Sequence, residues 1–191
     1  MSNDQISNSR KVYPSAATAL SGLTNGAVVA IAGYGGQGVP ETLVRALIAT
    51  RAKGLTCVCQ GAWGNGSPDR VGVSDLVEAG LIAKLIAPLP FHPDHGGPVK
   101  DLWEAGDLDV EVVPTGILAE RLRAGGAGLA GVFLPTAAGT RFATGLEVRD
   151  IGGRDHLFQP ALKTDIALLR AHRADLLGNL VYQGDQRNWN P

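Results

Sequence analysis

Residues 27–48 read AVVAIAGYGGQGVPETLVRALI, and they carry the main evidence for the fold class. The stretch opens with a continuous apolar run of strand length, which is typical of a parallel strand covered by helices on both faces. A glycine-rich turn follows. From Val39 the apolar residues recur at helical spacing, and Pro40 stands where the start of a helix tolerates proline. The stretch therefore predicts a strand, a turn and a helix.

The same alternation continues along the chain. Further strands are predicted at 55–60, 81–88 and 108–114, and helices at 73–80, 98–106 and 116–126. Strands that alternate with helices form parallel sheets with right-handed crossovers. The last third predicts more strands with less helix between them, at 131–135, 146–151, 165–171 and 179–183. We expect an α/β fold: an open, mainly parallel sheet with flanking helices and a β-rich C-terminal part.

Length and charge limit the classes of protein that this chain can be. A chain of 191 residues can bury one core, so we expect a polar N-terminal arm at 1–13 and a single domain at 14–191. The formal net charge is -1, which gives no basic surface for nucleic acid or for a membrane. The apolar runs are too short to cross a bilayer, and the opening residues lack a signal-peptide pattern. These features predict a cytoplasmic protein.

Cys57 and Cys59 are the only cysteines. They lie two residues apart on a predicted strand, so both side chains point to one face of the sheet. Neighbours at this spacing seldom have the geometry of a disulfide. We therefore expect two buried free thiols.

The glycines at 33, 35 and 38 match the G-x-G-x-x-G pattern of dinucleotide sites. A Rossmann fold also needs an acidic residue at the end of its second strand, where this chain has Cys59-Gln60-Gly61. Glu41 adds a negative charge beside the expected pyrophosphate position. We therefore expect no NAD or FAD. A tight turn explains one or two of the glycines, and the cluster as a whole predicts a loop that a ligand approaches closely.

Small or polar residues follow three of the predicted strands. The glycine loop follows the first strand, Gln60-Gly61 ends the second, and Thr115-Gly116 comes after the strand at 108–114. Because the carboxyl ends of parallel strands meet at one edge of the sheet, these residues should share a rim. The sequence therefore predicts a binding site along that rim.

Other polar clusters give weaker indications. His92 and His95 lack further residues of the metal-ligand type, so no metal site is predicted. Ser67 has no general base near it in sequence and no nucleophile elbow, so a hydrolase triad is not indicated. The charged residues Glu120, Arg121 and Arg123 are predicted to form the solvated face of a helix.

Three stretches resemble the α subunit of the family I CoA transferases. GYGGQGVPETL (33–43) is similar to the family's turn before a Pro-Glu or Pro-Ser helix start. The long block at 102–140, LWEAGDLDVEVVPTGILAERLRAGGAGLAGVFLPTAAGT, is similar to the family's central segment. ALKTDIALLRAHRADLLGNLVYQ (161–183) and RNWNP (187–191) match the family's tail. The resemblance covers residues 14–191.

The resemblance implies a protein that works only with a β subunit, in an α2β2 or larger heteromer. The β subunit would supply the glutamate that attacks an acyl-CoA, so no catalytic residue is assigned to this chain. Coenzyme A would be a substrate, with no permanently bound cofactor and no metal, in the catabolism of fatty acids or aromatic compounds. The substrate and oxyanion candidates in this chain are Gly35, Gly36, Gln37, Gly38, Gln60, Gly61, Thr115 and Gly116.

Two departures from the family bear on the reaction. The family has Ser-Asn-Asn after the second strand and Gln after the later proline, where this chain has Cys59-Gln60-Gly61 and Thr115. Side-chain amides at these positions would reach the reacting carbonyl, and threonine does not extend as far. A decarboxylase or hydrolase of CoA thioesters on the same fold is therefore the alternative, and a noncatalytic scaffold is a third possibility.

A further departure is one of length. The α subunits of the family continue past the Asn-Phe-Asn-Pro segment with at least one more strand, whereas this chain stops at Pro191. The resemblance therefore implies a C-terminally shortened chain or an unusually short variant.

Overall fold

The computed structural model describes residues 11–62, 70–92 and 94–190. Its centre is a parallel sheet with the strand order β4-β3-β2-β1-β8. The strands are β1 (Val28–Ile31), β2 (Leu55–Cys59), β3 (Ile82–Ala87), β4 (Asp109–Val112) and β8 (Ile166–Leu168). This confirms the predicted parallel sheet. Most of the predicted N-terminal arm, and Ser67, lie outside the described residues.

The described residues include five α-helices, and the last four are those that the apolar periodicity predicts. They are α1 (Ala16–Ala19), α2 (Glu41–Thr50), α3 (Val73–Glu78), α4 (Pro98–Ala105) and α5 (Thr115–Gly126). Side chains alternate across a strand, so Val29 and Ile31 join the larger core under α2, α3 and α4. Val58 and Ile86 point the other way and pack with Ile117 and Leu118 of α5. The sheet is thus covered by helices on both faces.

The C-terminal part is β-rich and antiparallel. One sheet has the order β5-β7-β6, with β5 (Gly131–Leu134), β6 (Val148–Asp150) and β7 (Asp155–Pro160). A second pairs β9 (Arg173–Ala174) with β10 (Leu180–Val181). The sequence did not predict β7, because its polar residues give no continuous apolar run. It is a half-buried strand in which Leu157 and Gln159 face inward.

Arg121 corrects the prediction of a solvated helix face. Its side chain is only 12% exposed, and its Nη1 lies 2.6 Å from Oε1 of Glu111 on β4. Its Nε donates to the carbonyl of Pro160 on β7 at 3.0 Å. Arg121 therefore ties α5 both to the parallel sheet and to the antiparallel sheet, while Arg123 and Glu120 form an ion pair nearer the solvent.

Within the described parts of the chain, no helix is long and apolar enough to cross a bilayer.

Candidate active-site rim

The glycine loop at the end of β1 is a closed two-residue hairpin turn. Tyr34 and Gln37 exchange both backbone hydrogen bonds, with N···O distances of 2.9 and 3.0 Å. Gly35 and Gly36 between them have φ angles of +57° and +76°. This is the pattern of a type I′ turn, which requires positive φ at both central residues and so favours glycine. Two of the glycines that suggested a ligand loop are thus needed for the turn itself.

The amides of this loop are left available. The N–H groups of Gly35, Gly36 and Gly38 donate to no acceptor among the described residues. Gly35 and Gln37 are exposed at the rim, whereas Gly36 and Gly38 are buried. A turn with unpaired backbone donors can stabilise an oxygen that becomes negatively charged.

Four carbonyls of the same loop accept hydrogen bonds from side chains. Asn188 donates its Nδ2 to the carbonyl of Tyr34 at 2.9 Å and lies 3.4 Å from that of Gln37. Asn190 donates its Nδ2 to the carbonyl of Gly38 at 3.0 Å. The guanidinium of Arg70 donates to the carbonyl of Gly36. Sequence reasoning missed these partners, because Asn188 and Asn190 entered only as part of the family-like tail.

Trp189, between the two asparagines, has a strained backbone. Its φ is +59°, a left-handed conformation that costs a bulky residue about 1–3 kcal/mol. Its side chain packs against the second core cluster, which consists of Val58, Ile86, Val113, Ile117 and Leu118. It also lines a cavity of about 410 Å³ beside Ala30. The turn at Trp189 lets this side chain anchor to the sheet while both neighbouring asparagines reach the loop.

The third glycine of the G-x-G-x-x-G pattern has a packing role of its own. A Cβ on Gly38 would lie 2.7 Å from the carbonyl oxygen of Asp185 and 2.9 Å from Nδ2 of Asn190. Gly38 is therefore required by the packing of the C-terminal segment. The carboxylate of Glu41 pairs with Arg70 at 3.0 Å, so its negative charge is partly offset at the start of α2. The end of β2 carries Cys59-Gln60-Gly61, with no carboxylate among these three residues.

Gln60 and Thr115 meet across the rim. Nε2 of Gln60 donates to Oγ1 of Thr115 at 2.9 Å, which joins the end of β2 to the start of α5. Gln60 is 8% exposed, and its Oε1 is buried without a partner among the described residues. An unpaired buried acceptor of this kind costs about 1–3 kcal/mol. Because the Thr115 hydroxyl accepts from Gln60, its own proton remains free for another acceptor.

The remaining predicted residues lie beside this pair. Gly61 is half-buried and bridges to Leu89, which extends the pairing of β2 and β3. Thr115 and Gly116 are exposed in the first turn of α5, where Pro114 provides no side-chain cap. First-turn amides have no acceptor within their own helix, and the helix dipole favours negative charge there. The rim thus offers hydrogen-bond donors at both the loop and the helix start.

The described residues of the rim include no nucleophile with a base beside it. Cys57 and Cys59 are free and fully buried, as predicted. The pKa of the Cys57 thiol is raised, mainly by its hydrogen bond with Cys59 and secondly by its burial. The imidazoles of His92 and His95 stack with centroids 4.4 Å apart. Across 11–62, 70–92 and 94–190, no group of three metal-ligand side chains comes together.

Comparison with known proteins gives one consistent family. The family model described as Coenzyme A transferase matches residues 13–191. The chain is 40% identical over 181 residues to the A-type subunit of 3-oxoadipate CoA-transferase from Pseudomonas putida, a match that covers 95% of this chain and 76% of the relative. It is 36% identical over 168 residues to the alpha subunit of acetate CoA-transferase from Escherichia coli K12, over 87% of this chain and 73% of the relative.

Solved structures share the fold. An acyl-CoA transferase from Escherichia coli O157:H7 matches with a TM-score of 0.74 at 23% identity, covering 92% of this chain. The chain spans 37% of the length of that protein. A cysteine-to-serine variant of the decarboxylase AibA/AibB matches with a TM-score of 0.71 at 26% identity, over 91% of this chain and 66% of the other.

Proposed function

The chain belongs to the coenzyme A transferase family, and we propose that it is the α subunit of a heteromeric CoA transferase. Its reaction moves CoA from an acyl-CoA to a short or medium 3-oxo or dicarboxylic acid. A β subunit supplies the nucleophilic glutamate, and the two assemble as α2β2 or a larger heteromer. CoA is a substrate of this reaction and is not held as a resident cofactor.

One observation carries this proposal: the rim presents unpaired donors without a nucleophile of its own. The amides of Gly35, Gly36 and Gly38 and the first turn of α5 suit an oxyanion. The described rim residues offer no activated side chain that could attack a thioester. A site of this kind needs its attacking group from a partner, and the likeness to one subunit type of a CoA-transferase supports that requirement.

The chemistry proceeds through covalent exchange. The β-subunit glutamate carboxylate attacks the thioester carbonyl carbon, and the C–S bond breaks to release the CoA thiolate and leave a mixed anhydride. The thiolate then attacks the glutamyl carbonyl, which frees the original acid and gives a glutamyl-CoA thioester. The acceptor carboxylate repeats these steps in reverse. Each addition places a negative charge on a carbonyl oxygen, where the rim donors act.

We assign roles to the rim residues accordingly. The backbone amide of Gly35, which is exposed at the rim, is assigned to the oxyanion, with the unpaired amides of the buried Gly36 and Gly38 beside it. Gln37 contributes an exposed side chain beside the acyl group. Thr115 donates its free hydroxyl proton to a substrate oxygen while Gln60 orients it. Gly116 leaves space for the acyl chain, since a Cβ there would meet nothing within 4 Å, and we assign Gly61 the same role because it also lacks a side chain.

The test is a transfer assay on the assembled enzyme. The chain is co-expressed with a β-type subunit of the family and supplied with succinyl-CoA and free 3-oxoadipate. We expect 3-oxoadipyl-CoA by mass spectrometry, and inactivation by borohydride or hydroxylamine only when acyl-CoA is present. Either chain by itself is the control. If the complex binds acyl-CoA but forms neither the new thioester nor the trapped glutamyl adduct, the transferase assignment is wrong.

A decarboxylase or hydrolase of CoA thioesters is the second candidate. Gln60 and Thr115 form a pair where the family carries other amides, and the fold is shared with the AibA/AibB decarboxylase. This candidate predicts CO2 without an acceptor acid, or free CoA thiol that reacts with Ellman's reagent. Either product at the rate of substrate loss would favour it over transfer.

A further inference from the structure

We propose that Asn188 and Asn190 are positioning residues that fix which atoms of the glycine loop face the substrate. Together these two asparagines are named the C-terminal clamp. The inference rests on the proposed function, because it concerns how the oxyanion donors of that reaction are held.

Asn188 recognises the closed form of the hairpin. Its single Nδ2 lies 2.9 Å from the carbonyl oxygen of Tyr34 and 3.4 Å from that of Gln37. These two residues also bond each other, with Tyr34 N–H donating to Gln37 and Gln37 N–H donating to Tyr34. One nitrogen reaches both carbonyls only when the hairpin is closed. Asn188 therefore stabilises the turn that places Gly35 at the rim.

Asn190 ties the end of the loop to the parallel sheet. It is 5% exposed, and while its Nδ2 donates to the carbonyl of Gly38, its Oδ1 accepts from the backbone N–H of Arg170 at 2.7 Å. Arg170 lies two residues past the end of β8. Both ends of this amide are thus paired, which fixes its orientation. The clamp holds the loop against the strand that neighbours β1.

Steric fit leaves the clamp little freedom. A Cβ at Gly38 would collide with the carbonyl oxygen of Asp185 and with Asn190 itself. Trp189 adopts a left-handed backbone and packs into the second core cluster, so the segment is anchored between its two asparagines. Strain at a bulky residue persists only where the surrounding structure enforces it.

The consequence is electrostatic. The carbonyls of Tyr34 and Gln37 accept from donors of the protein, and they share their peptide planes with the unpaired N–H groups of Gly35 and Gly38. Donors also bind the carbonyls of Gly36 and Gly38, whereas that of Gly35 has no partner among the described residues. A peptide plane that turned over would present a carbonyl oxygen to the developing oxyanion and repel it. The clamp therefore sets the sign of the dipole that the loop offers to the acyl group.

The variant Asn188→Asp tests this role in the assembled enzyme. Aspartate keeps the shape of asparagine but replaces the N–H donor by an oxygen that repels both carbonyls. We expect kcat to fall about tenfold or more while KM changes less than about threefold, as for lost stabilisation of a transition state. Asn188→Ala, without the charge, carries the same expectation if the aspartate variant does not fold. An unchanged kcat in a folded variant would overturn the proposal.

Asn25→Asp is the matched control. Asn25 lies before the start of β1 and uses its Oδ1 to accept from the backbone N–H of Lys53 at 2.9 Å. Aspartate retains that acceptor, so the same chemical change should leave kcat and KM unaltered. If kcat falls as much in this variant as in Asn188→Asp, the effect is due to the added charge alone, and the proposed positioning role of Asn188 is wrong.

Hydrogen–deuterium exchange separates this proposal from the assigned reaction. In Asn188→Asp the peptide that covers residues 31–40 should exchange about fivefold faster or more, with the peptides of α4 unchanged. This readout needs no turnover. If exchange in the loop stays at the wild-type rate, the clamp is wrong even when the complex transfers CoA. If exchange rises but no complex shows transfer, the clamp stands as a structural device and the reaction assignment fails.

Discussion

The side-chain amide of Gln60 is buried, and only one of its two polar atoms has a hydrogen-bond partner among the described residues. Its Nε2 is bound to Thr115, and its Oε1 is enclosed without a partner among the described residues. Folding alone gives no reason to retain such a group, since an apolar residue of the same volume would avoid the cost of the unpaired acceptor. The cost of the unpaired Oε1 therefore favours a role for Gln60 in the assembled site.

Replacing Gln60 by methionine should separate stability from activity. Gln60→Met removes one hydrogen bond and one unpaired acceptor, so the free energy of unfolding should change by less than about 1 kcal/mol. The rate of CoA transfer should fall about tenfold, because Thr115 loses the donor that orients its hydroxyl. Urea denaturation and the transfer assay measure the two quantities.

Variants of Thr115 provide the control for this pair. Thr115→Ser keeps the hydroxyl and should stay within about threefold of wild-type activity, whereas Thr115→Val should match the loss in Gln60→Met. The double variant should lose no more than either single variant, because the two residues act as one unit. Full additivity of the losses would mean that the pair does not act together.

The rim residues were accessible to prediction because each lies close to the end of a strand: Gln60 and Gly61 follow β2 directly, and Thr115 is the third residue after β4. Gln60, Gly61 and Thr115 were located by the rule that carboxyl ends of parallel strands share an edge, and the structure places Gln60 in contact with Thr115. Asn188 and Asn190 were not located, since the loop carbonyls that they bind lie more than 150 residues away in the chain. Side-chain bonds to a distant loop leave no local pattern.

Among the elements, the strands of the parallel sheet and β5 were predicted well, whereas the antiparallel sheets also contain strands that were not predicted. Continuous apolar runs predicted β1, β2 and β3 to within a few residues. The polar strand β7 was missed, because it pairs with β5 and β6 and buries only alternate residues. The helix α5 was predicted, but the burial of Arg121 was not, since its partner Pro160 belongs to that missed strand.

The link between β4 and α5 should make stability depend on pH. Burial would raise the pKa of Glu111, but hydrogen bonds from Arg121 and Lys84 outweigh it and lower that pKa below its ordinary value of 4.5. A carboxyl whose pKa is lowered by folding stabilises the protein above its unfolded pKa and loses that contribution as pH falls through the folded value. Glu111→Gln should therefore cost about 1–2 kcal/mol at pH 7 and progressively less below about pH 4.5. Urea denaturation at pH 7 and at a value below about pH 4.5 measures this cost.

Glu147→Gln is the matched control for that measurement. Glu147 pairs with Arg149 at 2.7 Å, but both side chains are more than half exposed. Solvent screens such a pair, so the change should alter the free energy of unfolding by less than about 0.5 kcal/mol at either pH. Equal effects of the two variants at pH 7 would contradict the role assigned to Glu111.

At the scale of the whole molecule, we expect the parallel and antiparallel sheets to unfold together. The prediction of a single domain at 14–191 depends on it. Arg121 bridges the two parts, and Gly125 of α5 lies so close to Leu162 that a Cβ would collide with the Leu162 carbonyl. Close packing between the layers favours one cooperative unit.

We expect one unfolding transition that Gly125→Ala weakens. Calorimetric and van't Hoff enthalpies should agree for the wild-type chain. Gly125→Ala should lower stability by about 2 kcal/mol or more, because backbone must move to admit the methyl group. Gly126→Ala, with open space around its Cβ position, should be neutral or stabilise by up to about 1 kcal/mol. Two separate transitions in the wild-type chain would refute the single domain.

The contact between Asn190 and Gly38 also sets an order of events during synthesis. The two residues are 152 positions apart, and every strand of the parallel sheet lies before Asn190. A growing chain can therefore pair β1 with β2 and bury its first core while the glycine loop still lacks its anchor. The donors become fixed only when the segment that carries Asn190 leaves the ribosome, so a nascent chain holds no finished site with which to engage a thioester.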